Sequence, residues 1–159
     1  MLSLSHTTGY AIKALGCLDG PSPSSRLIAD VAKHAGVPRP YLAKIVNSLV
    51  RNGLVATKRG YKGGISLARS AEEISLLEVV EAVEGKGWIG DCLLGLEACT
   101  SQRNCPTHDL WERIRVEITE RLRTTTLAEI VVFHKLDSRI RRTRVRGKNV
   151  EKGSAKRKS

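Results

Sequence analysis

Apolar residues recur at intervals of three and four along much of the chain, the spacing of a helix with one face to bury. Tyr10, Ala11, Ala14, Leu15 and Leu18 follow the polar run SHTT and stop at Gly20-Pro21, which predicts a packing helix. After a PSPSS loop, Leu27, Ile28, Val31 and Ala32 share one face of a second helix that Gly36 breaks. Pro38 and Pro40 suit the first turn of a third helix, where a missing N–H costs no hydrogen bond. Leu42, Ile45, Val46, Leu49 and Val50 form its stripe, and Asn52-Gly53 closes it. The pattern then shortens to LVATKR and ISLA, two short strands around Gly60-Tyr61-Lys62-Gly63-Gly64. Ser75 to Glu78 is a capping box opening a fourth helix with Leu76, Leu77, Val80 and Val83 inward and Gly85 as its stop. Helical spacing returns after Pro106, which is read as the start of a long helix striped by Trp111, Ile114, Ile118 and Leu122. Thr126 to Glu129 is a second capping box, for a short helix through Ile130, Val131 and Phe133.

Two short helices joined by a tight turn at Ala35-Gly36-Val37 have the shape of a helix-turn-helix, the third helix being its reader. With the apolar stripe turned inward, Arg39, Tyr41 and Lys44 stand at the exposed N-terminal end, the end that enters a major groove in this motif. The basic, glycine-rich hairpin that follows reads as a wing. Arg59 and Lys62 at its tip are candidates for phosphates or a narrow minor groove. The long helix has the spacing of a two-helix seam and is read as a dimerisation helix, packing against its own domain being the alternative. The expected fold class is mainly α with a small β wing, a winged helix-turn-helix domain plus a long dimerisation helix. The expected boundaries are residues 1–84 for the DNA-binding domain, 85–106 for a cysteine-rich loop, 107–134 for the dimerisation helix and short terminal helix, and 135–159 for a basic tail.

Charge sharpens this picture. The 159 residues carry a formal net charge of +11, unevenly placed. Between residues 26 and 69 nine basic residues face one acid, Asp30, whereas between 70 and 134 twelve acids outnumber six bases. From residue 135 onward eleven bases face two acids. The first block suits a double-stranded DNA partner. The acidic block holds the cysteines, so that segment is not expected to lie on nucleic acid. The tail is expected to be disordered and to supplement nonspecific binding. For any lone charge a solvated surface side chain is the ordinary reading; it is the imbalance across the whole block that points to phosphate. No apolar run reaches about eighteen residues and no leader precedes the first helix, so no membrane association and a cytoplasmic location are expected. No serine-histidine-acid ordering, phosphate loop or paired catalytic carboxylates stand out, and an enzyme is not expected.

Candidate chemistry gathers in GDCLLGLEACTSQRNCPTH, which holds three of the four cysteines and ends at His108. The gaps of six and five residues between Cys92, Cys99 and Cys105 exceed the roughly two to four residues of structural zinc knuckles. They suit a loop wrapped around something larger. Thiolates hold iron-sulfur clusters and an imidazole can replace one of them, so Cys92, Cys99, Cys105 and His108 make a complete set of four ligands. A helix start beside Cys105 favours its thiolate. Zinc, a thiol-redox switch working through sulfenic or disulfide chemistry, and inert buried cysteines are the alternatives that spacing leaves open. Cys17, in an apolar helical stretch, is read as core, as is Trp88, with the shielding of a cluster as the alternative for Trp88.

The motifs TGYAIKAL, ADVAKHAGVPRPYLAKIVNSLVRNGLV, RGYKGG and CPTHDLW, together with the cysteine trio, closely resemble the Rrf-two family of bacterial winged-helix transcription regulators, and its cluster-binding branch in particular. The resemblance covers about residues 1 to 134. It implies a homodimeric regulator whose operator binding is controlled by an iron-sulfur cluster, of two or four irons, on Cys92, Cys99, Cys105 and His108. It also implies that Tyr41 and Arg59 contact DNA. Gly9 stands where nitric-oxide-sensing members supply an aspartate ligand, which counts against that ligation scheme. Ala43 replaces a glutamate of the cluster regulator, so operator preference is expected to differ. The rivals are a zinc- or thiol-switched DNA-binding regulator and a small iron-sulfur electron carrier. The carrier predicts no salt-dependent DNA binding.

Overall fold

The structure, a computed structural model, describes residues 4–18, 25–60, 63–96 and 105–133. Helices α1 (His6–Leu18), α2 (Ile28–Ala35) and α3 (Arg39–Arg51) come first, followed by strands β1 (Val55–Lys58) and β2 (Gly64–Leu67). Helices α4 (Leu76–Glu84) and α5 (His108–Thr124) complete the long elements, and a last helical run, α6, occupies residues 127–133.

The turn between α2 and α3 depends on Gly36, which sits in the left-handed region at φ 67° and hands its N–H to the Ala32 carbonyl. Most side chains are strained in that region; glycine is not. Val37 then drops into the core, and the Pro38 carbonyl accepts from the N–H of Leu42 at 2.9 Å to start α3. The two strands pair antiparallel from Val55↔Leu67 to Lys58↔Gly64. A third strand is represented by a single residue. Arg26 exchanges both backbone hydrogen bonds with Ile65 at 2.8 Å, so the wing is rooted in the segment before α2. A side chain at Gly64 would overlap the Arg26 backbone, which explains the glycine there.

One core serves the whole head. Ala11, Leu15, Val31, Leu42, Ile45, Leu49, Leu54, Ile65, Ile74 and Val79 meet in it, and Leu127 and Val131 of α6 belong to the same cluster. Both capping boxes are formed: Ser75 with Glu78 on α4, and Thr126 with Glu129 on α6. The chain therefore leaves the head after α4, runs out along α5, and returns. The N–H groups of Leu127 and Ala128 dock on the carbonyls of Ile74 and Ala71 at 2.8 and 3.1 Å.

Three local expectations are corrected. Leu27 precedes α2 in extended conformation and is 57% exposed rather than inward. On α4 the buried positions are Leu76, Val79, Val80 and Ala82, with Leu77 and Val83 only half-buried. Six of the nine positions of LLEVVEAVE are apolar, so periodicity offers two overlapping stripes and packing against α1 and α3 chooses between them. Pro106 lies in a turn and α5 begins at His108. The expectations for Tyr61-Lys62, for Cys99 and for the basic tail fall outside the described residues. No helix among the described residues is long and apolar enough to cross a membrane.

Candidate nucleic-acid interface and cysteine site

On α3 the buried stripe of Leu42, Ile45, Val46 and Leu49 leaves the opposite face free, and Arg39, Tyr41 and Lys44 are all exposed. Arg59, just past β1, is exposed as well. Tyr41 is not loose: its hydroxyl shares a 2.5 Å hydrogen bond with the Thr7 hydroxyl on α1. Its ring meets the Tyr10 ring edge-on at 5.8 Å. These supports were invisible to local pattern reading, because Thr7 and Tyr41 are 34 positions apart. Lys13 lies 5.9 Å over the Tyr10 ring, adding positive charge beside the pair.

The cysteine site is organised by α5. Trp111, the buried residue of that helix, donates its indole Nε1–H to the Gly90 carbonyl at 3.0 Å. One turn further on, Arg115 reaches Asp91 Oδ1 at 2.7 Å. Both anchors fall immediately before Cys92, which is half-buried. Cys105 is also half-buried and lies three residues before His108, the first residue of α5. Trp111 is one turn along from His108, a rise of roughly 5 Å, so the two ends of the cysteine segment are fastened near the same end of one helix.

The Cys105 thiol is held below its ordinary range, first by the Thr107 hydroxyl 3.3 Å away and then by the backbone N–H groups of Thr107 and His108. That is the direction a ligating thiolate needs. His108 Nε2 stands 3.8 Å from Glu112 Oε2 one turn along. A cavity of about 420 Å³ opens beside Cys92, walled by Leu4, Glu84, Trp88, Leu93, Trp111 and Ile118 among others. Trp88 thus borders the cavity, half-buried, rather than sitting in the core. Among the described residues, which omit Cys99, no three of histidine, cysteine, aspartate and glutamate converge closely enough to hold a metal ion. Cys17 packs half-buried against the head core, and burial raises its thiol above the ordinary range despite the nearby Arg26 charge. It is not part of this site.

A helix-turn-helix that presents the polar side of its second helix, followed by a two-stranded wing rooted on the preceding segment, defines a winged helix-turn-helix DNA-binding protein. Residues 4–132 match the Rrf2 family, described as iron-dependent transcriptional regulators, and the chain belongs to that family. It is 36% identical over 137 residues to the HTH-type transcriptional regulator IscR of Pectobacterium carotovorum, covering 82% of this chain and 80% of that protein. It is 36% identical over 118 residues to IscR of Yersinia pseudotuberculosis, covering 74% and 69%. Among solved structures it is similar to CymR, the global cysteine regulator of B. subtilis, with a TM-score of 0.66 at 25% identity over 84% of this chain and 98% of that one. T. potens IscR gives a TM-score of 0.63 at 26% identity, covering 84% and 88%. The chain is a DNA-binding transcriptional regulator, and its relatives are named as regulators rather than enzymes.

Proposed function

We propose that the chain works as a homodimer whose operator binding is controlled by an iron-sulfur cluster held by Cys92, Cys99, Cys105 and His108. Arg39, Tyr41, Lys44, Arg59 and Lys62 would meet the duplex. The observation that carries the reading is the pair of anchors, Trp111 to Gly90 and Arg115 to Asp91, which tie the Cys92 stretch to the helix that starts just after Cys105. The depressed thiol of Cys105 and the cavity beside Cys92 support it, as does the half-buried stripe of Ile114, Ile118 and Leu122 as a seam for a second copy. When bound, such a cluster supplies a centre whose presence or oxidation state can differ between two states of the protein.

The chain's own residues do the rest. α3 offers exposed polar groups to base edges, the wing offers Arg59 to the backbone, and the anchored cysteine segment gives the two states different contacts, without which no coupling exists. A zinc or thiol-redox switch is the second reading, favoured by the same low thiol of Cys105. Anaerobic purification followed by iron, acid-labile sulfide and zinc analysis separates them. Iron and sulfide in equal amounts, lost in Cys92→Ser and Cys105→Ser, are expected. Zinc without sulfide, or a metal-free protein whose DNA binding changes on thiol oxidation, selects the second reading, and a metal-free protein that cannot be reconstituted and ignores thiol oxidation rejects both.

A further inference from the structure

α1 has an incomplete cap of its own. Ser5 is its N-cap, its hydroxyl accepting from the N–H of Thr8 at 3.3 Å. In a capping box the residue at Thr8's position is a glutamate or glutamine that reaches back to the N-cap N–H, closing the ring of bonds. Threonine cannot do this. The missing half comes from another helix: Glu84 Oε1 accepts from the Ser5 N–H at 3.0 Å and from the Thr8 hydroxyl at 2.5 Å. Thr8 is wholly buried, so Glu84 also satisfies a hydroxyl that has left water. Glu84 is the last residue of α4, where a negative charge opposes the helix dipole. Its position is unfavourable for α4 and favourable for α1.

The same turn of α4 holds α3. The Ser48 hydroxyl of α3 donates to the Ala82 carbonyl at 2.6 Å. At the other end of α3, Thr7 on the first turn of α1 holds the Tyr41 hydroxyl. Immediately after Glu84 the chain enters the cysteine segment, and Glu84, Leu4, Trp88 and Cys92 share the wall of one cavity. We propose that Glu84 is a positioning residue for the reading helix: it completes the cap of α1 from the end of α4, α1 fixes Tyr41 at the head of α3, and the Cys92 segment acts on α3 through this joint. The last step rests on the cluster reading above; the positioning step does not.

The test uses the full chain, a duplex that the wild-type protein selects from a randomised pool, and a scrambled duplex of equal length. Glu84→Ala is expected to weaken binding to the selected duplex about five- to tenfold, with the scrambled duplex within about twofold. Glu84→Gln keeps an oxygen that accepts both bonds and is expected to stay within about twofold of wild type. Thr7→Val breaks the joint at its other end without touching Glu84. Because the two act in series, the double variant Glu84→Ala/Thr7→Val is expected to lose no more than the worse single. Thermal midpoints establish that each variant is folded. An unchanged preference for the selected duplex in both Glu84→Ala and Thr7→Val, additive losses in the double, or Glu84→Gln as weak as Glu84→Ala overturns the positioning role. For the regulatory step, affinities are compared before and after stripping iron with a chelator. Glu84→Ala is expected to keep its iron and sulfide yet bring the ratio of the two affinities near one, and a ratio equal to wild type overturns that step. A wild-type chain without iron and sulfide removes the cluster reading, and with it that step, while the affinity comparison still decides the positioning role.

Discussion

The head (α1 to α4, with α6) and the limb that leaves it (described over residues 85–96 and 105–124) are held by different forces. In the head, Leu15, Leu42, Leu49, Leu54, Ile65 and Ile74 are each below 2% exposed and lie in one cluster. Each adds contacts on every side, so packing sets the arrangement and polar bonds such as those of Glu84 adjust it. In α5 only Trp111 is buried, Ile114, Ile118 and Leu122 are half-covered, and Val116 is 63% exposed. Among the described residues, α5 is fastened to the Gly90-Asp91 stretch by an indole hydrogen bond and an ion pair. A part that must differ between two states is drawn from the weakly held regions of a fold, and a part that must present a fixed surface from the strongly held ones. The division of labour proposed above follows that contrast.

The sharpest way to break the contrast is to damage each region at an apolar position of similar size. Leu49→Ala in the head is expected to cost about 2–5 kcal/mol in urea denaturation, since a rigid core closes poorly around a lost side chain. Ile118→Asp in α5 is expected to leave the head's unfolding within about 0.5 kcal/mol and to convert dimer to monomer in sedimentation velocity. If Ile118→Asp instead destabilises the head as much as Leu49→Ala does, α5 is part of the core and not a seam between copies.

A smaller effect refines the picture of the limb. Trp111→Phe keeps most of the ring but deletes the bond to Gly90, with an expected loss of about 0.5–1.5 kcal/mol read as faster protease cleavage between residues 85 and 105. Equal cleavage in wild type and variant would show that the indole bond does not hold the segment. This bond also marks where sequence reading stopped. The stripe of α3, both later capping boxes and the glycine of the helix-turn-helix turn were legible because each is a pattern within a few residues. Thr8 was not: a wholly buried threonine looks polar, and the partner that permits its burial, Glu84, is 76 positions away. Arg26 was hidden in the same manner, since one paired residue leaves no alternation to detect. The cysteine trio was visible as chemistry, but of the side chains that anchor its first member, Trp111 was read as part of a two-helix seam and Arg115 looked like surface.

The smallest effect concerns pH and separates polar from apolar support within the head itself. Glu78 closes the capping box of α4 and also receives Arg69, whose Nη2 lies 2.6 Å from its Oε1. Burial pushes the Glu78 carboxyl upward, but the hydrogen bond from Arg69, then the bonds from Ser75 and the Arg69 charge, outweigh it and leave the group below its ordinary range. A carboxylate depressed in the folded state adds stability above its unfolded value of about 4.3 and loses it as pH falls through that value toward the folded one. Both partners are well exposed, 41% and 39%, so water screens the pair and its worth stays at or below about 1 kcal/mol. Thermal midpoints from about pH 6 to about pH 3 are therefore expected to fall less steeply in Glu78→Gln than in wild type. High salt is expected to flatten the wild-type profile only in part, because it screens the Arg69 charge but not the bonds from Ser75. A Glu78→Gln profile parallel to wild type would mean that the cap is as strong with a neutral acceptor. The acid sensitivity of the head would then lie with other carboxylates, Glu84 first among them, since the bonds from Ser5 and Thr8 overcome its burial and depress it in the same direction.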